Sequence, residues 1–174
     1  VMAKISDMSE NNGLSLANIP IVLPHETQYV QSEGSIEPLD TCNAITPTSI
    51  TARDYIGNNN PNKVIDGDSS TKWSSLAANS WIKLDLGSKK PICSLAILWD
   101  YARFITYTFA ISLSDDGVNF GPPVFSSKSN RNSEGFETYV LPSGTEGKYM
   151  KISVKSDNRL GYSGIKELRV FGAN

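Results

Sequence analysis

Residues 42–172 predict an all-β domain, either a sandwich or a barrel, on three observations. Apolar residues recur with period two in short segments, those segments are broken by Gly, Asn, Asp, Ser and Pro, and helical periodicity is scarce. Ile82, Leu84 and Leu86 alternate with Trp81, Lys83 and Asp85, which is a strand with one wet face. The segment Ile92–Trp99 is more uniformly apolar, as a central strand covered on both faces must be. Tyr107, Phe109, Ile111 and Leu113 alternate with Thr108, Ala110 and Ser112, and Asp115-Asp116-Gly117 follows as a hairpin-type turn. Met150, Ile152 and Val154 alternate with Lys151, Ser153 and Lys155, and Leu168 and Val170 flank Arg169 near the end. Many short strands at this spacing exclude a bundle and leave a sandwich or a barrel.

The first 40 residues read differently. They hold one aromatic, Tyr29, while all three Trp and all six Phe lie beyond Leu39, so this segment cannot support a core of its own. Lys4 stands there against Asp7, Glu10, Glu26, Glu33, Glu37 and Asp40, a net of −5, which leaves +3 for the rest of the chain. Its apolar run Ile19-Pro20-Ile21-Val22-Leu23-Pro24 is interrupted by prolines that cannot donate to a sheet ladder. The expected organisation is therefore an acidic leader or linker over 1–40 and a folded module over 41–174. No apolar run reaches the length of about 20 residues needed to span a bilayer. Val1–Glu10 lacks a signal peptide's basic start and apolar stretch, so the chain reads as a piece of something longer. Lys and Arg are scattered and no groove-reading motif accompanies them, which argues against a nucleic-acid partner.

Three blocks carry a family resemblance. They are Val64-Ile65-Asp66-Gly67-Asp68-Ser69-Ser70-Thr71-Lys72-Trp73-Ser74, then Trp81-Ile82-Lys83-Leu84-Asp85-Leu86-Gly87, then Ile165-Lys166-Glu167-Leu168-Arg169-Val170-Phe171-Gly172. Between them lie the Tyr107–Asn119 strand with its Ser-Asp-Gly turn and the Gly147–Val154 strand. In order and spacing the series resembles the discoidin, or coagulation factor V/VIII type C, family over residues 42 to 172. Among its branches it looks most similar to the family-32 carbohydrate-binding modules. The resemblance implies a jelly-roll β-sandwich, within the alternatives that the alternation left open.

In calcium-binding members of that family, matching positions supply a structural ion's ligands. Here these would be the carbonyls of Lys63 and Lys166 and the side chains of Asp66, Asp68, Thr71 and Glu167. Calcium takes six to eight oxygens, and a turn punctuated by Gly67 can aim several of them inward. An ordinary Asp-Gly turn without an ion is the alternative. Cys42 and Cys93 suit a disulfide in a secreted module, against two buried free thiols.

Catalysis is poorly served by this sequence. The one histidine, His25, lies in the leader, which withholds Ser-His-Asp and Cys-His machinery from the module. One histidine and two cysteines cannot build a zinc cluster, and Gly144-Thr145-Glu146-Gly147-Lys148 lacks the spacing of a phosphate loop. Asp66, Asp68 and Glu167 are assigned to the ion, and Asp115 and Asp116 to a turn, so no carboxylate pair stands out for glycoside hydrolysis.

Sugar recognition needs aromatic faces and planar hydrogen-bonding groups on loops. Two stretches supply them: Trp99-Asp100-Tyr101-Ala102-Arg103-Phe104 and Asn158-Arg159-Leu160-Gly161-Tyr162. The corresponding loops of family-32 modules commonly provide an arginine and an aromatic platform, here Arg103 and Tyr162. Tyr101, Arg103, Asn158, Arg159 and Tyr162 are therefore the candidate ligand residues. Trp99 and Phe104 could instead belong to the core, and Tyr55 with Asn58, Asn59 and Asn60 could join the site or solvate a turn. No histidine stands where many galactose binders have one, while Arg103, Arg131 and Arg159 fall in loops. Guanidinium groups match carboxylates in two-point geometry, so acidic polysaccharides such as polyuronates are expected over neutral galactans.

The expectation is a non-catalytic module that carries a secreted carbohydrate-active enzyme, a polysaccharide lyase or glycoside hydrolase, to its polysaccharide. Its partners would be a poly- or oligosaccharide and a linked catalytic domain, with no nucleic acid, no membrane span and a monomeric state. The competing reading is an adhesion or surface-binding discoidin domain for protein or lipid.

Overall fold

The computed structural model describes residues 42–77, 79–131, 134–158 and 161–172. The expected leader over 1–40 and the candidate ligand residue Arg159 lie outside the described residues. Ten strands build two five-stranded antiparallel sheets packed face to face. The first sheet runs β1 (Asn43–Ile45), β10 (Ser163–Gly172), β5 (Ser94–Trp99), β8 (Glu137–Val140), with β3 (Trp73–Ser75) also paired to β10. The second runs β2 (Ser49–Ala52), β4 (Ser80–Pro91), β9 (Glu146–Ser156), β6 (Tyr107–Ser114), β7 (Phe125–Lys128). The only helical element among the described residues is a short 3-10 turn, Pro61–Val64, capped by Asn60. Of the sandwich and the barrel that the alternation left open, the observed fold is the sandwich that the resemblance implied.

The alternation sorts side chains as expected. Ile82, Leu84 and Leu86 of β4, Phe109 and Ile111 of β6, and Met150, Ile152 and Val154 of β9 face inward against Leu95, Ile97, Leu168 and Val170 of the other sheet. Trp99 is core, stacked on Tyr107 with ring centroids 4.7 Å apart. Leu113 departs from the pattern. It lies at the margin of the core over Gly147, where an added Cβ would meet the Leu113 side chain at 3.1 Å. Cys42 and Cys93 are joined by a disulfide with Cα atoms 6.2 Å apart. The bridge lies just before β1 and β5, because the strand expected from Ile92 begins at Ser94.

Two irregularities position the site. The pairing of β10 with β5 shifts between Ile165 and Glu167, so Lys166 falls in a bulge and Ile165 and Leu168 both reach the core. A bulge re-aims a side chain. Here it leaves Glu167 buried, at 5% exposure, beside the Asp66 turn. At the same end of the sandwich, Tyr101 follows β5 with φ of +51°, the one non-glycine residue with positive φ among the described residues. Such a residue costs on the order of 1 kcal/mol, and it persists where surrounding bonds fix it. The Tyr101 carbonyl accepts from Phe104 N–H at 2.8 Å and Ile105 N–H at 3.0 Å, which closes the loop and turns the ring outward.

Candidate functional site

Asp100 is the hub of the loop end. It is 3% exposed. Its Oδ2 accepts from Lys72 Nζ at 2.6 Å and from the Tyr162 hydroxyl at 2.5 Å, while its main-chain carbonyl accepts from the Tyr107 hydroxyl at 2.7 Å. Its N–H donates to the Gly164 carbonyl, tying the loop to the start of β10. Lys72 Nζ lies 4.8 Å from the centre of the Tyr101 ring and 5.9 Å from that of Tyr162, and the two rings meet edge to face at 5.8 Å. Burial would depress the Lys72 pKa, but the hydrogen bond and charge of Asp100 hold it above its ordinary value. Burial and then the Asp100 carboxylate push the Tyr162 phenol up to about 12, so it stays a donor at neutral pH. Gly164 leaves room for this arrangement: a Cβ there would lie 2.9 Å from the Tyr162 hydroxyl and 3.0 Å from Asp100 Cβ.

Tyr101 is 53% exposed and Phe104 72%, so Phe104 is not a core residue. Beside them lies an open cleft of about 330 Å³ lined by Trp99, Tyr101, Arg103, Phe104, Glu134 and Lys166. Arg103 forms an ion pair with Glu134, and both side chains are mostly exposed. Arg131 is committed elsewhere, donating from Nη2 to the Phe104 carbonyl at 2.8 Å. Asn158 braces the platform rather than facing outward, since its Nδ2 donates to the Tyr162 carbonyl and its Oδ1 accepts from Tyr162 N–H. Of the expected ligand residues, Tyr101, Arg103 and Tyr162 are thus gathered at one end, and Asn158 supports them. Asn59 donates to the Ser74 hydroxyl and Asn60 caps the 3-10 turn.

Sequence reasoning missed Lys72 and Asp100 as members of this cluster. They are 28 residues apart and no local spacing links them. A buried acid between Trp99 and an exposed tyrosine was the available signal.

The Asp66–Thr71 turn gathers oxygens. Thr71 Oγ1 lies 2.8 Å from Asp66 Oδ2, 3.1 Å from the Asp68 carbonyl and 3.4 Å from the Lys63 carbonyl. Asp68 presents its carbonyl to this cluster, because its Oδ1 is taken by Ser70 N–H and the Ser70 hydroxyl. Asp66 feels an upward push from burial, which hydrogen bonds from Asp68 N–H and Thr71 and the nearby Lys63 outweigh, holding its pKa low. Glu167 goes the other way: burial and then the Asp66 charge raise its pKa, and its Oε1 is buried without a hydrogen-bond partner. Lys63 Nζ lies 3.6 Å from Asp66 Oδ2, but the unsatisfied oxygen of Glu167 facing a second carboxylate is an arrangement that a further cation would stabilise. The all-oxygen donor set fits calcium. Among the described residues no three of Asp, Glu, His and Cys converge as a metal cluster, here or elsewhere, so an ion at this turn would depend on main-chain carbonyls and the Thr71 hydroxyl as well.

The family-32 carbohydrate-binding module of AlyQ in complex with 4,5-unsaturated mannuronic acid superposes with a TM-score of 0.69 at 28% identity, covering 75% of this chain and 99% of that one. Truncated AlyQ, with its CBM32 and alginate lyase domains, gives 0.70 at 27%, covering 78% of this chain and 34% of that one, so the chain spans about a third of its length. The family-32 module of Clostridium perfringens NanJ in complex with galactose matches in fold, with a TM-score of 0.61 at 23% identity over 75% of this chain and 98% of that one. No curated protein matches the chain as a relative. The profile of the F5/8 type C domain matches residues 45–168, most of the chain and all three sequence blocks up to Leu168. The chain belongs to the F5/8 type C domain family.

Proposed function

We propose that this chain is a non-catalytic carbohydrate-binding module that holds a secreted carbohydrate-active enzyme on an acidic polysaccharide of the polyuronate class. The carrying observation is the loop-end platform, with the exposed Tyr101 and Phe104 rings beside Arg103, braced from beneath by the Asp100, Lys72 and Tyr162 cluster. Aromatic faces suit the C–H patches of a pyranose ring, and Arg103 suits a carboxylate. The Arg103–Glu134 pair does not block this role. Exposed ion pairs contribute only about 0–1 kcal/mol, so a ligand carboxylate can displace Glu134 at little cost. The mannuronic acid bound to the AlyQ module and the lyase domain in the same protein support both the ligand class and the link to an enzyme. A structural calcium ion belongs to the proposal. Lys63, Asp66, Asp68, Thr71, Lys166 and Glu167 would hold it, and it would supply the positive charge that Asp66 and Glu167 need to lie side by side.

Titration calorimetry with oligouronates and neutral oligosaccharides tests the reading. Uronates should bind more tightly, Arg103→Ala should weaken them more than Lys89→Ala, and Glu134→Gln should strengthen them. Equal or tighter binding of the neutral sugars, with Arg103→Ala silent, would overturn the acidic-ligand reading.

A further inference from the structure

The outward face of the second sheet carries a trough. Strand pairing aligns Trp81 with Ser153, Ser153 with Ala110, and Ala110 with Ser126, so small side chains form a floor across β9, β6 and β7, with Trp81 at the β4 end. On one side the next outward row is Lys155, Thr108 and Lys128, all exposed. On the other side Lys83 lies directly opposite Lys151. Outward residues two apart on a strand are about 7 Å apart, so the lysine rows stand about 13 Å from each other.

Among the described residues none of Lys83, Lys128, Lys151 and Lys155 makes an ion pair, whereas Lys72, Lys89 and Arg103 all do. Like charges directly opposite each other destabilise a sheet. Lys83 is steadied by the Gly117 carbonyl at 3.0 Å, and Lys151 lies 4.4 Å over the Phe120 ring. Lys128 and Lys155 have no such neighbour among the described residues. The acids nearby are held by backbone amides and make no ion pair with these lysines, although their charges offset part of the lysine field: Asp85 accepts from Gly87 N–H, Asp116 from Val118 and Asn119 N–H, and Asp157 from Thr106 N–H. The Lys155 and Lys128 row is also continuous with the loop end, because Lys155 precedes Asn158 by three residues and Thr108 follows the 100–106 loop.

Resting on the polyuronate reading for its ligand class, we propose that this trough is a second, polymer-specific surface on which a linear polyanionic glycan lies across the strands. Its cations meet successive carboxylates, while the loop end holds a single sugar. Neutralising a linear polyanion releases its condensed counterions, so binding here is salt-dependent.

The test uses the full chain and two probes, polymannuronate and a mannuronate trisaccharide, in calorimetry at several salt concentrations. The double variant Lys128→Glu/Lys155→Glu should weaken polymannuronate by roughly tenfold and flatten its salt dependence, with trisaccharide affinity unchanged. Lys89→Glu, half that change in charge at one exposed site remote from the trough, should change neither. Polymer affinity that survives the double variant, or falls equally with Lys89→Glu, overturns the proposal. A trisaccharide that fails to bind while polymannuronate binds through Lys128 and Lys155 sinks the loop-end reading and leaves the trough standing.

Discussion

Lys72 and Tyr162 share one oxygen of Asp100, the ammonium at 2.6 Å and the phenol at 2.5 Å, and so a single buried carboxylate sets both the cation and the ring at the loop end. Removing its charge leaves Lys72 three-quarters buried without its partner. Asp100→Asn should therefore cost about 2 kcal/mol of stability, read by chemical denaturation, and weaken sugar binding in parallel. Tyr162→Phe should lose less stability but still lower affinity. Because the Tyr162 phenol holds its proton up to about 12, binding that depends on it should be level from neutral pH to mildly alkaline pH.

Glu167 is a folded-state liability that a bound cation would relieve. Its raised pKa means that the ionised form is disfavoured in the native state, a penalty present at neutral pH and lost as pH falls through the folded value. In chelator, Glu167→Gln should melt higher than the native protein at pH 7, and the gap should close as pH drops toward the acid range. Added calcium should raise the native melting temperature, by about 2.7 kcal/mol equivalent at a hundredfold excess over its dissociation constant. It should do nothing for Glu167→Gln. A native melting curve unmoved by chelator and calcium alike would remove the ion.

The Cys42–Cys93 bridge closes a separation of 51 residues and anchors the chain just before β1, a strand of three residues with little apolar surface of its own. On the chain-entropy model such a loop contributes roughly 4 kcal/mol. Reduction, or Cys42→Ser with Cys93→Ser, should lower the melting temperature and raise amide exchange first in Asn43–Ile45, which hydrogen exchange resolves.

At Gly164 the backbone passes so close to Tyr162 and Asp100 that a methyl group has no room. Gly164→Ala should displace the phenol from Asp100 and reduce affinity at the loop end severalfold, with a smaller stability loss than Asp100→Asn. Unchanged sugar titration would detach the Tyr162 geometry from recognition.

Period-two alternation in the sequence settled that the domain is all-β and which side chains face inward, but left a sandwich or a barrel open; the family resemblance narrowed that to two sheets. The three blocks fixed the family. Asp66, Thr71 and Glu167, and the aromatic loops at 99–104 and 158–162, were legible for the same reason: each is a cluster of suitable chemistry at one place or at matching positions. What the tertiary structure decided was commitment. Only it pairs Asp100 with Lys72, spends Asn158 on bracing Tyr162, closes Arg103 onto Glu134, exposes Phe104 and turns the Asp68 carboxylate toward Ser70. The lysine trough likewise exists only after four strands are set in register, since residues spaced along the sequence become one surface through hydrogen-bond pairing between strands and not through any local pattern.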